Sequence, residues 1–265
     1  MPSPSEQPAG RALIIGGGTG LGLGAAEALT RHGFRTFLTG RRAEVLEASA
    51  APLGAGWMAG DATDADTACT VTAEAAAVMG GLDTLVVSAG ASAIGGIATE
   101  TEAGFLRILH TNLLPCFHFC QAALPHMAGG GAIIAIASVV ASVPHAERLA
   151  YCTSKAALVG MVRQMALDLA PRRIRVNAVS PSLVLTPLTR GIMAREADPA
   201  ATLAARSAQH PLGRLGTTEE VGEAVAWLAS RAGAWITGQD IVLDGGLSLT
   251  AARRDINARA AEDPG

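Results

Sequence analysis

Ile14-Ile15-Gly16-Gly17-Gly18-Thr19-Gly20-Leu21-Gly22-Leu23-Gly24 joins an apolar run to a helical pattern through a cluster of glycines. Glycines at such a turn admit a tight bend and let backbone amides approach an anion at a helix N-terminus. The motif needs a strand before it and a helix after it, and both are present: residues 12–15 are apolar, and 22–32 carry a helical pattern. A pyrophosphate at this turn makes dinucleotide binding the first functional expectation.

Outward from this turn the same alternation repeats. Short runs rich in Val, Ile and Leu recur at 36–39, 82–87, 132–137, 174–179 and 240–243, with a weaker one at 56–59. Such runs suit strands covered on both faces. Helical patterns separate them at 43–51, 64–79, 102–127, 150–169 and 218–230. Pro115 should kink the fourth helix and Pro171 should end the fifth, because the proline ring cannot continue the amide ladder. Strand–helix alternation along the chain predicts parallel strands with right-handed crossovers. The expectation is one doubly wound α/β domain over 11–250, with a disordered leader at 1–10 and a loose C-terminal tail at 251–265.

Composition narrows the partners. Of 265 residues 49% are hydrophobic but only 3% aromatic, so a large core must be built from Ala, Val, Leu and Ile. A net charge of -3 argues against nucleic acid or an anionic membrane as partner. No segment has the length of apolar sequence a membrane span needs; 131–143 is the nearest, and Ser138 and Ser142 interrupt it. Cys69, Cys116, Cys120 and Cys152 form no Cys-x-x-Cys and have no clustered histidines, so free thiols in a reducing cytoplasm are expected, and no metal.

The chain has a single tyrosine and a single lysine, and they lie four residues apart as Tyr151 and Lys155. Positions i and i+4 share one helix face. A phenol beside an ammonium is a proton donor whose acidity the cation raises. The other basic side chains are all arginine, so solubility did not call for this lysine. At the end of the second strand, where a carboxylate usually holds the ribose 2'-hydroxyl of NAD, stands Gly40-Arg41-Arg42. Two guanidiniums there suit a 2'-phosphate, so NADP(H) is favoured and NAD(H) remains possible.

With these residues assembled, the chain resembles the short-chain dehydrogenase/reductase family over about 11–249, in a 3-oxoacyl-reductase-like form. The resemblance implies a Rossmann domain with a seven-stranded parallel sheet in the order 3-2-1-4-5-6-7. Gly16, Gly20 and Gly22 match its Gly-x-x-x-Gly-x-Gly, with Thr19 and Leu21 inside that turn. Asp61, beside Ala62, matches the acid that contacts adenine. Asn112, Ser138, Tyr151 and Lys155 match the catalytic set. Ala89 and Gly90 close the fourth strand against the cofactor, and Pro181, Val184 and Thr186 match the stretch near the nicotinamide. Tyr151 is then the general acid, and Lys155 lowers its pKa and holds the ribose. Ser138 orients the carbonyl, and Asn112 holds a water that links Lys155 to solvent.

Three positions depart from the family pattern. Ile15 replaces a Thr before the first glycine, Val87-Ser88-Ala89-Gly90 replaces Asn-Asn-Ala-Gly, and Ser182 replaces the glycine after Pro181.

The substrate pocket is expected between 91–94, 139–145 and 183–210. Ser138, Val140, His145, Tyr151, Leu183, Ile192 and Met193 are the candidate contacts. Residues 127–131 carry no basic side chain before the fifth strand, which weakens an acyl-carrier-protein substrate. The implied activity is reduction of a small ketone, with alcohol oxidation as its reverse. The competing class is a cofactor-binding sensor or inactive partner subunit. A homotetramer, or a homodimer, would pair the helices at 102–127 and 150–169.

Overall fold

A computed structural model describes residues 9–250; the expected tail at 251–265 and most of the expected leader lie outside them. The first strand, β1, spans Gly10–Ile15, so Gly10 belongs to the sheet and not to a leader. Six further strands follow: β2 (Phe34–Gly40), β3 (Gly56–Ala59), β4 (Thr84–Val87), β5 (Gly131–Ile136), β6 (Ile174–Pro181) and β7 (Asp240–Leu243). All pairings are parallel, in the order β3-β2-β1-β4-β5-β6-β7. The expected order and seven strands are therefore present.

Period-two alternation inside apolar strands divides the core in two. Leu13, Ile15, Leu85, Val87, Ile133 and Ala135 point to one face of the sheet. There they meet α3 (Ala65–Met79), α4 (Glu102–Ala123) and α5 (Leu149–Leu169). Ala12, Ile14, Val86, Ile134 and Ile136 point to the other face. That side is covered by α1 (Gly20–Arg31), α2 (Ala43–Ala50) and α8 (Thr218–Ala229). Strands covered on both sides have no need of polar alternation, which is why they read as continuous apolar runs.

Helices α1 and α8 approach at glycines. A Cβ on Gly222 would overlap the Gly24 carbonyl, and one on Gly24 would lie 2.5 Å from the Thr218 carbonyl oxygen. Both neighbours are backbone and cannot swing aside. Gly222→Ala is therefore expected to cost about 1–3 kcal/mol of stability, read as a lower midpoint in urea unfolding with an unchanged slope.

Two stretches, the end of the long fourth helix and the segment after β6, differ from expectation. The helix expected over 102–127 ends at Ala123, and a 3-10 turn, Leu124–His126, takes over because Pro125 cannot continue the ladder. Pro115, by contrast, lies inside α4, which runs on past it. The stretch after β6 is also more ordered than expected. It contains α6 (Pro187–Met193) and α7 (Pro199–Ala208), capped by the Thr186 and Asp198 side chains, which accept from Thr189 N and Ala201 N.

Register brings the functional segments to one edge. Ile15 is level with Thr39 and Val87, Val87 with Ala135, Ile136 with Val179, and Pro181 with Leu243. The glycine turn, Arg41, the 88–91 loop, Ser138 and Ser182 thus all leave the sheet at its C-terminal edge. Between β1 and β4 the strand order reverses, which opens a crevice in folds of this type.

Candidate active site

The glycine turn is shaped by contacts that only glycine allows. Gly16 has φ +78°, and a Cβ there would lie 2.9 Å from the Ala89 amide nitrogen. A Cβ on Gly22 would overlap the Gly16 carbonyl, so the helix starts directly against the strand end. Gly16 N and Gly17 N both donate to the Thr39 carbonyl, at 2.8 and 3.1 Å. The Ser49 hydroxyl donates to the Gly18 carbonyl at 2.9 Å. Thr19 caps α1 without a side-chain bond, and the amides of the first turn have no carbonyl partner within their own helix. Such a side-chain-free cradle ending in free donors fits a pyrophosphate.

Arg41 and Arg42 are exposed beyond the end of β2, and Arg42 is the N-cap of α2. Asp61 uses one oxygen to accept from Thr63 N at 2.9 Å and the Thr63 hydroxyl at 2.8 Å. Those two bonds hold its carboxyl below the usual range, and the charge of Arg41 adds to the effect. Ala62 follows in the same turn, against the core. Across the crevice, Thr186 comes close to the turn: a Cβ on Gly20 would sit 3.7 Å from its methyl. Val184 is buried and pairs with Gly216, and Leu185 N donates to the Gly216 carbonyl at 2.9 Å.

The second half of the site is a polar knot under the 88–91 loop. Asn112, buried on α4, accepts from Ala91 N at 2.7 Å and donates to the Ala91 carbonyl at 2.9 Å and to the Ser154 hydroxyl at 2.8 Å. Ser154 in turn donates to the Tyr151 carbonyl at 2.8 Å. Lys155 is buried and donates to the Ile136 carbonyl at 2.8 Å. A Cβ on Gly90 would lie 3.1 Å from Asn112 Oδ1 and 3.8 Å from Lys155 Nζ. Ser138 stands two residues past the end of β5 with its hydroxyl 3.5 Å from the Pro181 carbonyl oxygen, and it accepts from Val140 N at 3.4 Å.

Two features correct the expected electrostatics. Burial raises the Tyr151 phenol above its ordinary pKa, outweighing the Ser138 hydroxyl and the Arg148 charge, which pull it down. Lys155 Nζ lies 6.0 Å from the Tyr151 ring centre, turned to Ile136. Burial also lowers Lys155 from 10.5 to about 8. Desolvation acts on both groups at once, so in the protein alone the pair is held toward its neutral forms. The Asn112 amide is occupied by the Ala91 backbone and Ser154, which fastens the loop to α5. Ser154 gave no sequence signal beyond its place between Tyr151 and Lys155.

The expected substrate contacts differ in exposure. Val140 and Leu183 are half-buried and Met193 is buried, while Ile192 and His145 are exposed. The segment after β6 is fastened by a pair not anticipated from sequence. The His210 ring donates from Nδ1 to the Arg206 carbonyl at 2.9 Å, leaving Nε2 as the partner of the Ser182 hydroxyl at 3.1 Å. Ser182 stands where the resembled pattern has glycine, and its side chain has a use: it ties the end of β6 to the end of α7. Among the described residues, no group of three or more His, Cys, Asp or Glu side chains is placed to hold a metal. None of the described helices is long and apolar enough to cross a membrane.

The comparisons agree with this geometry. A family model described as enoyl-(acyl carrier protein) reductase matches residues 16–248. The chain is 32% identical to an L-fucose dehydrogenase of Rattus norvegicus, covering 95% of this chain and 94% of that protein. It is 37% identical to a D-threitol dehydrogenase of Mycolicibacterium smegmatis, covering 90% and 92%. The solved structure of a short-chain dehydrogenase/reductase from Brucella melitensis, titled a glucose/ribitol dehydrogenase, superposes with a TM-score of 0.84 at 32% identity. It covers 91% of this chain and 98% of that one. Glycine turn, strand order and relatives converge: the chain belongs to the short-chain dehydrogenase/reductase family, whose dehydrogenases are oxidoreductases that use a nicotinamide cofactor.

Proposed function

We propose that this protein transfers hydride between NADP(H) and a small carbonyl or secondary-alcohol substrate, with Tyr151 as the proton donor in reduction and acceptor in oxidation. The reading rests on one cluster: Asn112, Ser154 and Tyr151 joined by hydrogen bonds beneath the 88–91 loop, with the Lys155 amine 6.0 Å from the Tyr151 ring centre, beside a turn that only glycine can make. The bound nicotinamide supplies the hydride acceptor or donor. Everything else falls to the chain. Gly16, Gly20 and Gly22, with the amides near Thr19 and Leu21, receive the pyrophosphate; Asp61 and Ala62 flank the adenine; Ala89, Gly90, Pro181, Val184 and Thr186 line the nicotinamide end.

Ser138 would donate to the reacting oxygen and fix its place, so that the Tyr151 hydroxyl meets it. Charge develops on that oxygen as the carbon is reduced, and a proton delivered there stabilises the transition state. Lys155 holds a positive charge under the site whenever it is protonated, and a pKa of about 8 leaves that charge present at neutral pH. Asn112 and Ser154 keep the 88–91 loop and α5 in register.

The preference for NADP(H) is supported by Arg41 and Arg42, which are exposed after β2. Replacing both by Ala is expected to raise KM for NADPH by about tenfold or more and to leave KM for NADH nearly unchanged. Equal effects on the two would remove the assignment. The substrate class is tested by cofactor turnover over matched panels: ketones and 3-oxoacyl esters in reduction, and threitol, ribitol and fucose in oxidation. The relatives' names direct the second panel.

A homotetramer is proposed through α4 and α5, which expose Leu106, Phe117 and Leu167. The free thiols of Cys69, Cys116, Cys120 and Cys152 suit a cytoplasmic setting.

A further inference from the structure

The helix that carries Tyr151 begins in a way that local physics disfavours. Its N-cap is Arg148, with no side-chain capping bond and no acidic residue in the first turn. A cation at the positive end of a helix dipole is unfavourable. The residue before it, Glu147, holds φ 56°, a left-handed conformation that costs free energy in a residue with a side chain. Breaches of local preference that persist in a well-packed fold point to a functional demand.

The surroundings of Arg148 show what is gained. Its Nη1 donates to the Ser92 hydroxyl at 3.0 Å and to the Ala93 carbonyl at 3.2 Å. The backbone adds a short parallel bridge: Gly95 N donates to the Glu147 carbonyl at 2.9 Å, and Leu149 N to the Gly95 carbonyl at 3.0 Å. The loop after β4, which begins under Asn112, is thereby tied to the start of α5, one turn before Tyr151. A Cβ on Gly96 would meet the Glu147 carboxylate at 2.5 Å, so the bridge closes tightly.

We infer that Arg148 is a positioning residue for the proposed reaction: its guanidinium fastens the 91–95 loop to the helix that presents Tyr151 and places a positive charge at the start of that helix, one turn before Tyr151. The inference rests on the proposed role of Tyr151. Lys155 is committed to the Ile136 carbonyl and is itself only marginally protonated above neutral pH. Arginine stays charged at every pH at which an enzyme works. Its charge is among the influences that draw the Tyr151 pKa down against burial.

The other ionisable groups around Tyr151 are few. Its own helix brings Cys152, whose thiolate would act in the opposite sense, and Lys155. Helix α4 brings Cys116, near Lys155. The segment entering α5 brings His145 and Glu147, and the turn at 139–141 brings none.

A chain with one tyrosine makes the test direct, because tyrosine labelled with carbon-13 at the ring carbon bearing the hydroxyl gives one resonance. The full-length protein is titrated as wild type, Arg148→Met and Arg148→Lys. Loss of the charge is expected to weaken ionisation of the phenol about threefold to tenfold in Arg148→Met, and Arg148→Lys is expected to restore it. Hydrogen exchange at Gly95 and Leu149 is expected to be about tenfold faster in Arg148→Met and Ser92→Ala to lie between it and wild type. Should Arg148→Met not fold, Arg148→Gln, which keeps donors for the loop without the charge, takes its place in the titration. A wild-type midpoint in either neutral variant, or unchanged exchange in folded Arg148→Met or in Ser92→Ala, overturns the inference. The readouts need no substrate, so they separate from the parent reading: full turnover in Tyr151→Phe would remove the general acid and leave the Arg148–Tyr151 coupling measurable.

Discussion

Tyr151→Phe is expected to fold normally, bind NADP(H) and lose at least about a hundredfold in turnover. The phenol ring is packed at the site and its hydroxyl has the Ser138 hydroxyl as its side-chain partner, so the substitution removes the proton donor and that one polar contact. Steady-state rates in either direction, with nucleotide binding followed by quenching of tryptophan fluorescence, check both halves of the expectation. A variant with near-normal rates would require a different acid. Ser138 cannot take over that role at neutral pH, because an aliphatic hydroxyl is far weaker than a phenol as an acid.

The second large effect concerns Lys155 and has opposite signs for activity and stability. Moving its pKa from 10.5 to about 8 corresponds to roughly 3 kcal/mol of unfavourable burial while the amine is charged. Below pH 8 the folded and unfolded chains both hold the proton, and the folded state bears that cost in full. Between pH 8 and 10.5 the folded chain releases its proton first, so the unfolded chain binds more protons and stability rises with pH. Lys155→Met removes the buried charge and leaves the Ile136 carbonyl without its donor, which returns about 1 kcal/mol.

A net gain of about 2 kcal/mol at neutral pH is expected in the protein without nucleotide, or roughly 4–8 °C in Tm. The variant's stability should also be flat across the window in which wild type gains. Turnover should be lost. Calorimetry at several pH values reads the first two outcomes, and a variant less stable than wild type at pH 7 would mean that the charge is better solvated than its surroundings indicate.

The architecture was legible because it is written in repeated local patterns. Seven apolar runs, the weak one at 56–59 included, became the seven strands, and the glycine turn sits where its strand and helix demanded. Boundaries were lost where a proline changes a helix without ending the chain's curl, as at Pro125. Helices α6 and α7 went unread although Thr186-Pro187 and Asp198-Pro199 each carry a capping residue followed by proline at the first helical position. The helices are short and their apolar residues too few to show a period.

At the site, Tyr151 and Lys155 were nameable from residue type and spacing, and Asn112 and Ser138 through the family resemblance. Their energetics were not. Desolvation depends on what lies above and below a group, and no spacing along the chain encodes that, so the phenol was read as acidified when burial raises it. Arg148, Ser154 and the Ser182–His210 pair escaped for a related reason: each matters through a partner far off in sequence, Ser92 for Arg148, Asn112 for Ser154 and His210 for Ser182.

The glycine-to-glycine contact between α1 and α8 has a consequence for synthesis. The helix that opens the nucleotide turn leans on a segment about 200 residues downstream, through Gly24 and Gly222. A nascent chain emerging from the ribosome therefore completes its phosphate-binding loop about 200 residues before the helix that supports it is made. Contacts this distant in sequence slow folding, and truncation ahead of Thr218 should leave a fragment that contains every glycine of the turn yet holds no nucleotide.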